Sequence, residues 1–187
     1  MRIISGNFKG RKILQPKDKF TRPLKDLTKE SIFNIIKHSN KFNIDIEKSN
    51  ILDLFSGVGS FGLECLSRGA STVTFVENYK EVLPILKKNI INLGCLNNPE
   101  IIEKDIFNQL DLNNLKIKFD IIFMDPPYKE KALCSLLEKI IRANILKKNG
   151  IFVVHRHKNE NDEFPNNFDL IEQKTYGISK IIFGNYS

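Results

Sequence analysis

The run Asp120-Ile121-Ile122-Phe123-Met124 passes directly into Asp125-Pro126-Pro127-Tyr128. Its apolar part is too short for a helix and reads as a buried strand. The two prolines remove two N–H donors and fix two φ angles, so neither strand nor helix continues past them. The product is a carboxylate, rigid backbone carbonyls and an aromatic ring at the carboxyl end of a core strand. Open α/β sheets bind ligands at that end. Such a tip suits one chemical problem. An exocyclic amine on a base is a poor nucleophile because its lone pair is delocalised into the ring. Acceptors around the NH2, here the Asp125 side chain and the Pro126 carbonyl, orient it and stabilise the charge that develops as nitrogen bonds to carbon. The prolines supply the rigidity this needs. Tyr128 offers a flat face to a base turned out of its stack. The structural alternative is a rigid turn with a core tyrosine.

Three other stretches have the composition of a nucleoside site. Asp53-Leu54-Phe55-Ser56-Gly57-Val58-Gly59-Ser60-Phe61-Gly62 joins a strand to a helix. Its glycines permit a tight turn and close approach of a ligand to the backbone. Asp53, Phe55, Gly57 and Gly59 are its candidate contacts. An anion at Asp53 repels phosphate, yet it can attract the cationic amino-acid end of S-adenosylmethionine. Asp53 can equally serve as a structural acceptor for the loop amides. Glu77 closes a second strand, 18 residues beyond Gly59. It can accept from both hydroxyls of a ribose, or cap the next helix, for which Asn78 is the better candidate. Asp105 closes a third strand. It can accept from an adenine amine while Ile106 and Phe107 wall the ring, or it belongs to an ordinary surface turn.

These tips need a scaffold, and the alternation of signals supplies one. From residue 50 onward, strands are predicted at 51–55, 72–76, 100–104, 119–124 and 151–155. Helices are predicted at 60–68, 80–93 and 131–146, the last closed by Asn149-Gly150. Two further β-like runs, 168–176 and 178–183, meet at Gly177 as an antiparallel pair on the sheet edge. The pattern is α/β: a mostly parallel sheet with helices on both faces. Ahead of it, Arg2–Ser5 and Arg11–Leu14 flank Gly6-Asn7-Phe8-Lys9-Gly10 as a hairpin. A helix over 24–39 follows, with Leu27, Ile32, Phe33, Ile35 and Ile36 on its apolar side. The chain thus divides into a basic extension, 1–49, and a main domain, 50–187.

The 187 residues are 41% hydrophobic and 27% charged, enough for a sizeable core, and no apolar run reaches membrane-spanning length. No signal-peptide pattern opens the chain. Three cysteines, never paired as CxxC, suit a reducing cytoplasm, no structural metal and no catalytic thiol. The formal charge is +7, and residues 1–22 carry seven basic residues against Asp18 alone. A basic block beside a near-neutral body suggests a polyanion partner, nucleic acid first, or else simply a lysine-rich surface.

Taken together, Asp53…Gly57-Val58-Gly59, Glu77, Asp105 and Asp125-Pro126-Pro127-Tyr128 resemble the class I S-adenosylmethionine-dependent amino methyltransferases. Further motifs are similar in order and spacing to the RsmD family, bacterial 16S rRNA (guanine-N2)-methyltransferases. These are Met1–Gly6 with Lys9-Gly10-Arg11, Arg22-Pro23, Glu30–Ile35, Leu52–Gly57, Leu66–Ala70 and Tyr176-Gly177. The resemblance implies a seven-stranded Rossmann-like domain with a small N-terminal hairpin. It implies methyl transfer from S-adenosylmethionine to N2 of one guanine in 16S rRNA within small-subunit particles, by a cytoplasmic monomer. It puts Asp53, Phe55, Gly57, Gly59, Glu77, Asp105, Ile106 and Asp125 on the cofactor and Asp125, Pro126 and Tyr128 on the catalytic tip. Arg2, Lys9, Arg11, Lys12 and Arg22 fall on RNA. Guanine, rather than adenine, rests on the resemblance alone. One departure is plain: the family usually has a glutamate after the fifth main-domain strand, where this chain has Val153-Val154-His155-Arg156-His157. The two histidines read as exposed loop residues or as added charge for RNA. The rival functions are a DNA adenine-N6 methyltransferase and a non-catalytic RNA-binding assembly factor.

Overall fold

The computed structural model describes residues 1–16, 24–94, 99–127 and 130–186. Helix α1 (Asp26–His38) precedes β1 (Asn50–Leu54), α2 (Ser60–Ser67), β2 (Thr72–Val76), α3 (Leu83–Leu93), β3 (Pro99–Ile102) and β4 (Phe119–Met124). Helix α4 (Leu133–Ala143) and strands β5 (Leu146–His157), β6 (Phe168–Tyr176) and β7 (Ser179–Tyr186) complete the chain. Seven strands form one sheet in the order β3-β2-β1-β4-β5-β7-β6. Neighbours from β3 through β5 are parallel, and β7 runs antiparallel to both β5 and β6. The central strands β1 and β4 are almost wholly buried, as strands covered on both faces must be. The order reverses between β1 and β4, and the crevice above their carboxyl ends is where such sheets take a ligand.

One face is covered by α1, α2 and α3. Phe33, Phe61, Phe75, Phe123, Ile181 and Phe183 share its core. An aromatic stack crosses this layer: Phe33 to Phe61 at 5.2 Å and Phe61 to Phe123 at 4.0 Å between ring centroids. It supports β4 two residues before Asp125. The other face packs Leu52, Ile122, Met124 and Phe152 against Leu133, Leu136, Leu137 and Ile140 of α4, spaced to form one apolar stripe.

The N-terminal segment is built into the first layer. Arg2 bridges Lys12, and Ile3 and Ile13 are buried with α1 and α2. Glu64 of α2 accepts from Ile4 N–H at 2.7 Å and Ser5 N–H at 2.9 Å. It also pairs with Lys29 at 3.4 Å and Arg68 at 2.9 Å, and Lys29 donates to the Arg2 carbonyl at 2.7 Å. Gly6 sits at φ +80°, and a Cβ there would lie 1.8 Å from the Ser67 carbonyl oxygen.

Several boundaries differ from expectation. Leu27 is 68% exposed, because the buried face of α1 runs through Lys29, Ile32, Phe33 and Ile36. The polar lysine takes an inner position since Glu64 awaits it there. Strand β3 stops at Ile102, and β7 starts at Ser179 and continues to Tyr186. Helix α4 ends at Ala143, with Asn144 left-handed at φ 50°. Asn149-Gly150 therefore lies inside β5 and does not cap a helix. Pairing on β4 jumps from Phe119–Leu146 to Ile121–Ile151, and this bulge absorbs the polar residues that imitate a loop.

Candidate functional site

Leu54 stands level with Val76 on β2 and Met124 on β4. The next residues, Phe55, Glu77 and Asp125, therefore leave three adjacent strands at one end of the sheet. Phe55 turns the chain with φ 61°, a conformation that bulky side chains rarely adopt. Its ring lies 5.8 Å from Phe107. Gly57 and Gly59 follow at φ 54° and 84°. A Cβ on Gly59 would meet Leu86 Cδ1 at 2.6 Å, and one on Gly62 would meet Phe75 at 2.3 Å, so α2 packs tightly on β2 and α3.

Asp53 is buried at 1% exposure. Its Oδ2 accepts from Gly62 N–H at 2.9 Å in the first turn of α2. Its Oδ1 is buried without a hydrogen-bond donor among the described residues. Burial pushes this carboxyl well above its ordinary range; the Gly62 hydrogen bond opposes that, and Asp125 and Glu77 add to it. The structural reading of Asp53 thus accounts for one oxygen. The other is an unsatisfied acceptor that a cationic ligand group would complete.

Glu77 braces the glycine loop: Oε2 accepts from Gly57 N–H at 2.7 Å, and Oε1 accepts from the amides of Asn78 at 2.9 Å and Tyr79 at 2.8 Å. Among the described residues Oε2 has a single donor, so it retains capacity for a ribose hydroxyl. Asp105 Oδ1 accepts from Phe107 and Asn108 N–H, and its Oδ2 accepts from Asn78 Nδ2 at 2.9 Å. The ends of β2 and β3 are thereby tied together. Ile106 is buried in the α4 layer, whereas Phe107 is half-buried beside Phe55. The exposed parts of Phe55 and Phe107 thus lie together, while Ile106 packs into the core.

At the fourth tip, Asp125 N–H donates to Leu54 O at 3.4 Å, and the Asp125 side chain keeps 20% of its surface exposed. Pro126 is buried and Pro127 exposed. Tyr128, like Arg22, lies outside the described residues. The residues holding this tip come from β5. His155 is buried on the strand, not exposed in a loop, and its Nδ1 lies 2.8 Å from Asp125 Oδ1 while its Nε2 lies 2.9 Å from Ser179 Oγ. His157 also belongs to β5 and is half-buried. Arg156 points to the other face, 1% exposed. It donates to the Pro127 carbonyl at 3.0 Å and the Glu130 carbonyl at 2.9 Å, and its Nε pairs with Asp162 at 2.7 Å. Lys180 adds a second cation 3.3 Å from Asp162. The sequence offered one signal for these residues, a break in an apolar strand by three cationic-type side chains. Alternation along that strand sends His155 and Arg156 to opposite faces, so the tip is held from both sides.

The whole chain has close relatives. The family model described as conserved hypothetical protein 95 matches residues 1–185. Ribosomal RNA small subunit methyltransferase D of Haemophilus influenzae is 35% identical over 183 residues, covering 95% of this chain and 90% of the relative. The protein of the same name from Escherichia coli strain K12 is 31% identical over 184 residues, with 95% and 85% covered. The chain belongs to the RsmD family. A solved structure from Escherichia coli described as "Putative methyltransferase yhhF" superposes with a TM-score of 0.79 at 26% identity, covering 100% of this chain and 97% of that one. The sheet is thus that of a Rossmann-like class I methyltransferase, as the sequence implied.

Within this RsmD-family chain, Arg2, Lys9, Arg11 and Lys12 are all exposed. Lys9 and Arg11 lie at the hairpin turn, away from the crevice. Helices α2 and α3 start near the strand tips and run back toward the amino edge of the sheet, as crossover helices between parallel strands do. Asn7 N–H donates to the carbonyl of Ser67, the last residue of α2. Arg11 caps α3 through the Leu93 carbonyl at 3.2 Å and lies 5.3 Å over the Phe8 ring. The hairpin turn is consequently at the end of the sheet opposite Asp125. Its other end approaches the glycine loop, where Asn89 bonds both Leu14 and the Val58 carbonyl. No helix among the described residues is long and apolar enough to cross a membrane.

Proposed function

We propose that this protein transfers a methyl group from S-adenosylmethionine to the exocyclic N2 amine of one guanine in 16S rRNA. The observation that carries the reading is the Asp125 tip, held from both faces of the sheet beside a glycine loop whose buried Asp53 Oδ1 has no donor among the described residues. Family membership and the names of the relatives support the rRNA target. The residues fit the cofactor by their chemistry. Asp53 offers an unsatisfied acceptor to an ammonium, Glu77 Oε2 an acceptor to ribose, and Asp105 Oδ2 an acceptor to the adenine amine, with Phe55 and Phe107 beside it. When bound, the cofactor supplies a methyl group on a sulfonium and departs as a neutral thioether.

The chain's own work is to present the amine. Asp125 Oδ2 and the Pro126 carbonyl would accept from the two N2 hydrogens and so fix the direction of the nitrogen lone pair. The positive charge that N2 would gain on accepting the methyl group would develop beside the Asp125 carboxylate, which is fixed in advance. One N2 proton then passes to Asp125 Oδ2 and on to water. Asp125 need not be a strong base, because the methylated amine cation is already acidic. Tyr128 is the proposed stacking surface for the extruded guanine. A nucleotide-resolution methylation map of 16S rRNA from cells with and without the gene tests the reading. One N2-methylguanine absent from the deletion strain and restored by the wild-type gene is the expected result. An unchanged rRNA map, or methylated adenine in duplex DNA, overturns it.

A further inference from the structure

We infer that His155 is a positioning residue for the transfer step, one that fixes the Asp125 carboxylate through a directional hydrogen-bond chain from Ser179; this rests on the function proposed above. The direction follows from chemistry. An ionised carboxylate only accepts hydrogen bonds, so the 2.8 Å contact makes His155 Nδ1 the donor. In the neutral ring Nε2 then carries a lone pair, and the Ser179 hydroxyl at 2.9 Å is placed to donate to it. Occupation of Asp125 Oδ1 by the ring sets the carboxylate's rotation and leaves Oδ2 for the target amine. The 20% exposure of the Asp125 side chain shows which part of the pair faces the crevice, while the His155 side chain is 7% exposed and cannot touch substrate broadly. Ser179 opens β7, which lies antiparallel against β5, so β7 is coupled to the catalytic tip. The N2 proton goes to Oδ2 and thence to water; His155 keeps its own proton throughout.

Two measurements on the full chain test this. Long-range proton–nitrogen correlation of ¹⁵N-histidine-labelled protein, with the His155 signals assigned by their loss in His155→Asn, reads the tautomer without any substrate. The expected result for the neutral ring is protonation at Nδ1, relaxing toward the Nε2-protonated form in Asp125→Ala. Turnover on small-subunit particles lacking the modification provides the second readout. Asparagine places an amide nitrogen where Nδ1 stands, so His155→Asn keeps kcat within about threefold, while His155→Leu lowers kcat by roughly 10²-fold with KM for the particle unchanged. An Nε2-protonated ring in the wild type, or equal losses in both variants, overturns the inference. Absence of transfer by the wild-type protein would refute the proposed function, and the tautomer would still decide the role of His155.

Discussion

Asp53 and Asp125 stand on neighbouring strands of the same crevice in very different surroundings. Asp125 reaches the opening and is held by His155; Asp53 is sealed beneath the glycine loop with one oxygen that has no donor among the described residues. Substituting Asp125→Ala is therefore expected to abolish methyl transfer while cofactor affinity by calorimetry stays within a few-fold, since the proposed cofactor acceptors remain. Asp53→Asn behaves differently. Burial raises the Asp53 carboxyl, so the folded state binds its proton more tightly than the unfolded chain does. Stability of the ligand-free protein is full below the ordinary aspartate value near ~3.9. It falls as pH rises from there through the raised folded value, and stays reduced above it. The asparagine variant escapes that loss. Its unfolding free energy in urea should match the wild type near pH 4 and exceed it at pH 7.5, by roughly 1–3 kcal/mol for an unpaired buried acceptor. Its cofactor affinity should drop, because the charge that attracts an ammonium is gone. At this scale the positions of Glu77 and Asp125 directly after apolar strands were legible. His155, Arg156 and Asp162 were not, because their role depends on contacts with the Asp125–Glu130 segment and with Ser179 on another strand.

The elements convert those contacts into rigidity. The Pro127 carbonyl is fixed by Glu130 N–H at 2.8 Å and by Arg156 at 3.0 Å, so one buried guanidinium joins β5 to the segment that follows β4. A lysine at this position keeps a charge beside Asp162 but lacks the planar fork needed to reach two carbonyls as well. Arg156→Lys is expected to cost about 1–3 kcal/mol in urea unfolding, the cost of leaving buried acceptors unpaired. It should also lower kcat, leaving cofactor affinity within a few-fold; full activity would show that the segment holds itself. Periodicity made the helices and central strands readable, down to the Leu133–Ile141 stripe of α4. It failed at β5, where Lys147-Lys148-Asn149-Gly150 imitates a loop but lies in a bulge opposite Asp120. Composition cannot distinguish a polar bulge inside a strand from a turn between elements.

For the whole molecule, the proposed RNA contacts lie on a basic segment that is built into the core. Ile3 and Ile13 are buried, and Glu64 anchors the Ile4 and Ser5 amides, so deleting the segment would damage the first helical layer as well as remove charge. Charge and architecture must be separated residue by residue. Lys9 and Lys12 are exposed, whereas Arg11 caps α3. Helix α3 has 11 residues, roughly 16 Å end to end, and the hairpin turn lies at its far end from the tip. An RNA touching both Lys9 and the Asp125 crevice must therefore span at least that distance, which suits a folded rRNA segment better than a free base. Each cation that neutralises a phosphate contributes about 0.7–0.9 to the slope of log affinity against log salt. Lys9→Gln with Lys12→Gln is expected to flatten that slope by about 1–2 for small-subunit RNA, with no change in melting temperature. Arg11→Gln should lower the melting temperature, because the α3 carbonyls lose their donor. An unchanged slope in the double lysine variant would move the RNA contact away from the hairpin, onto surfaces nearer the crevice.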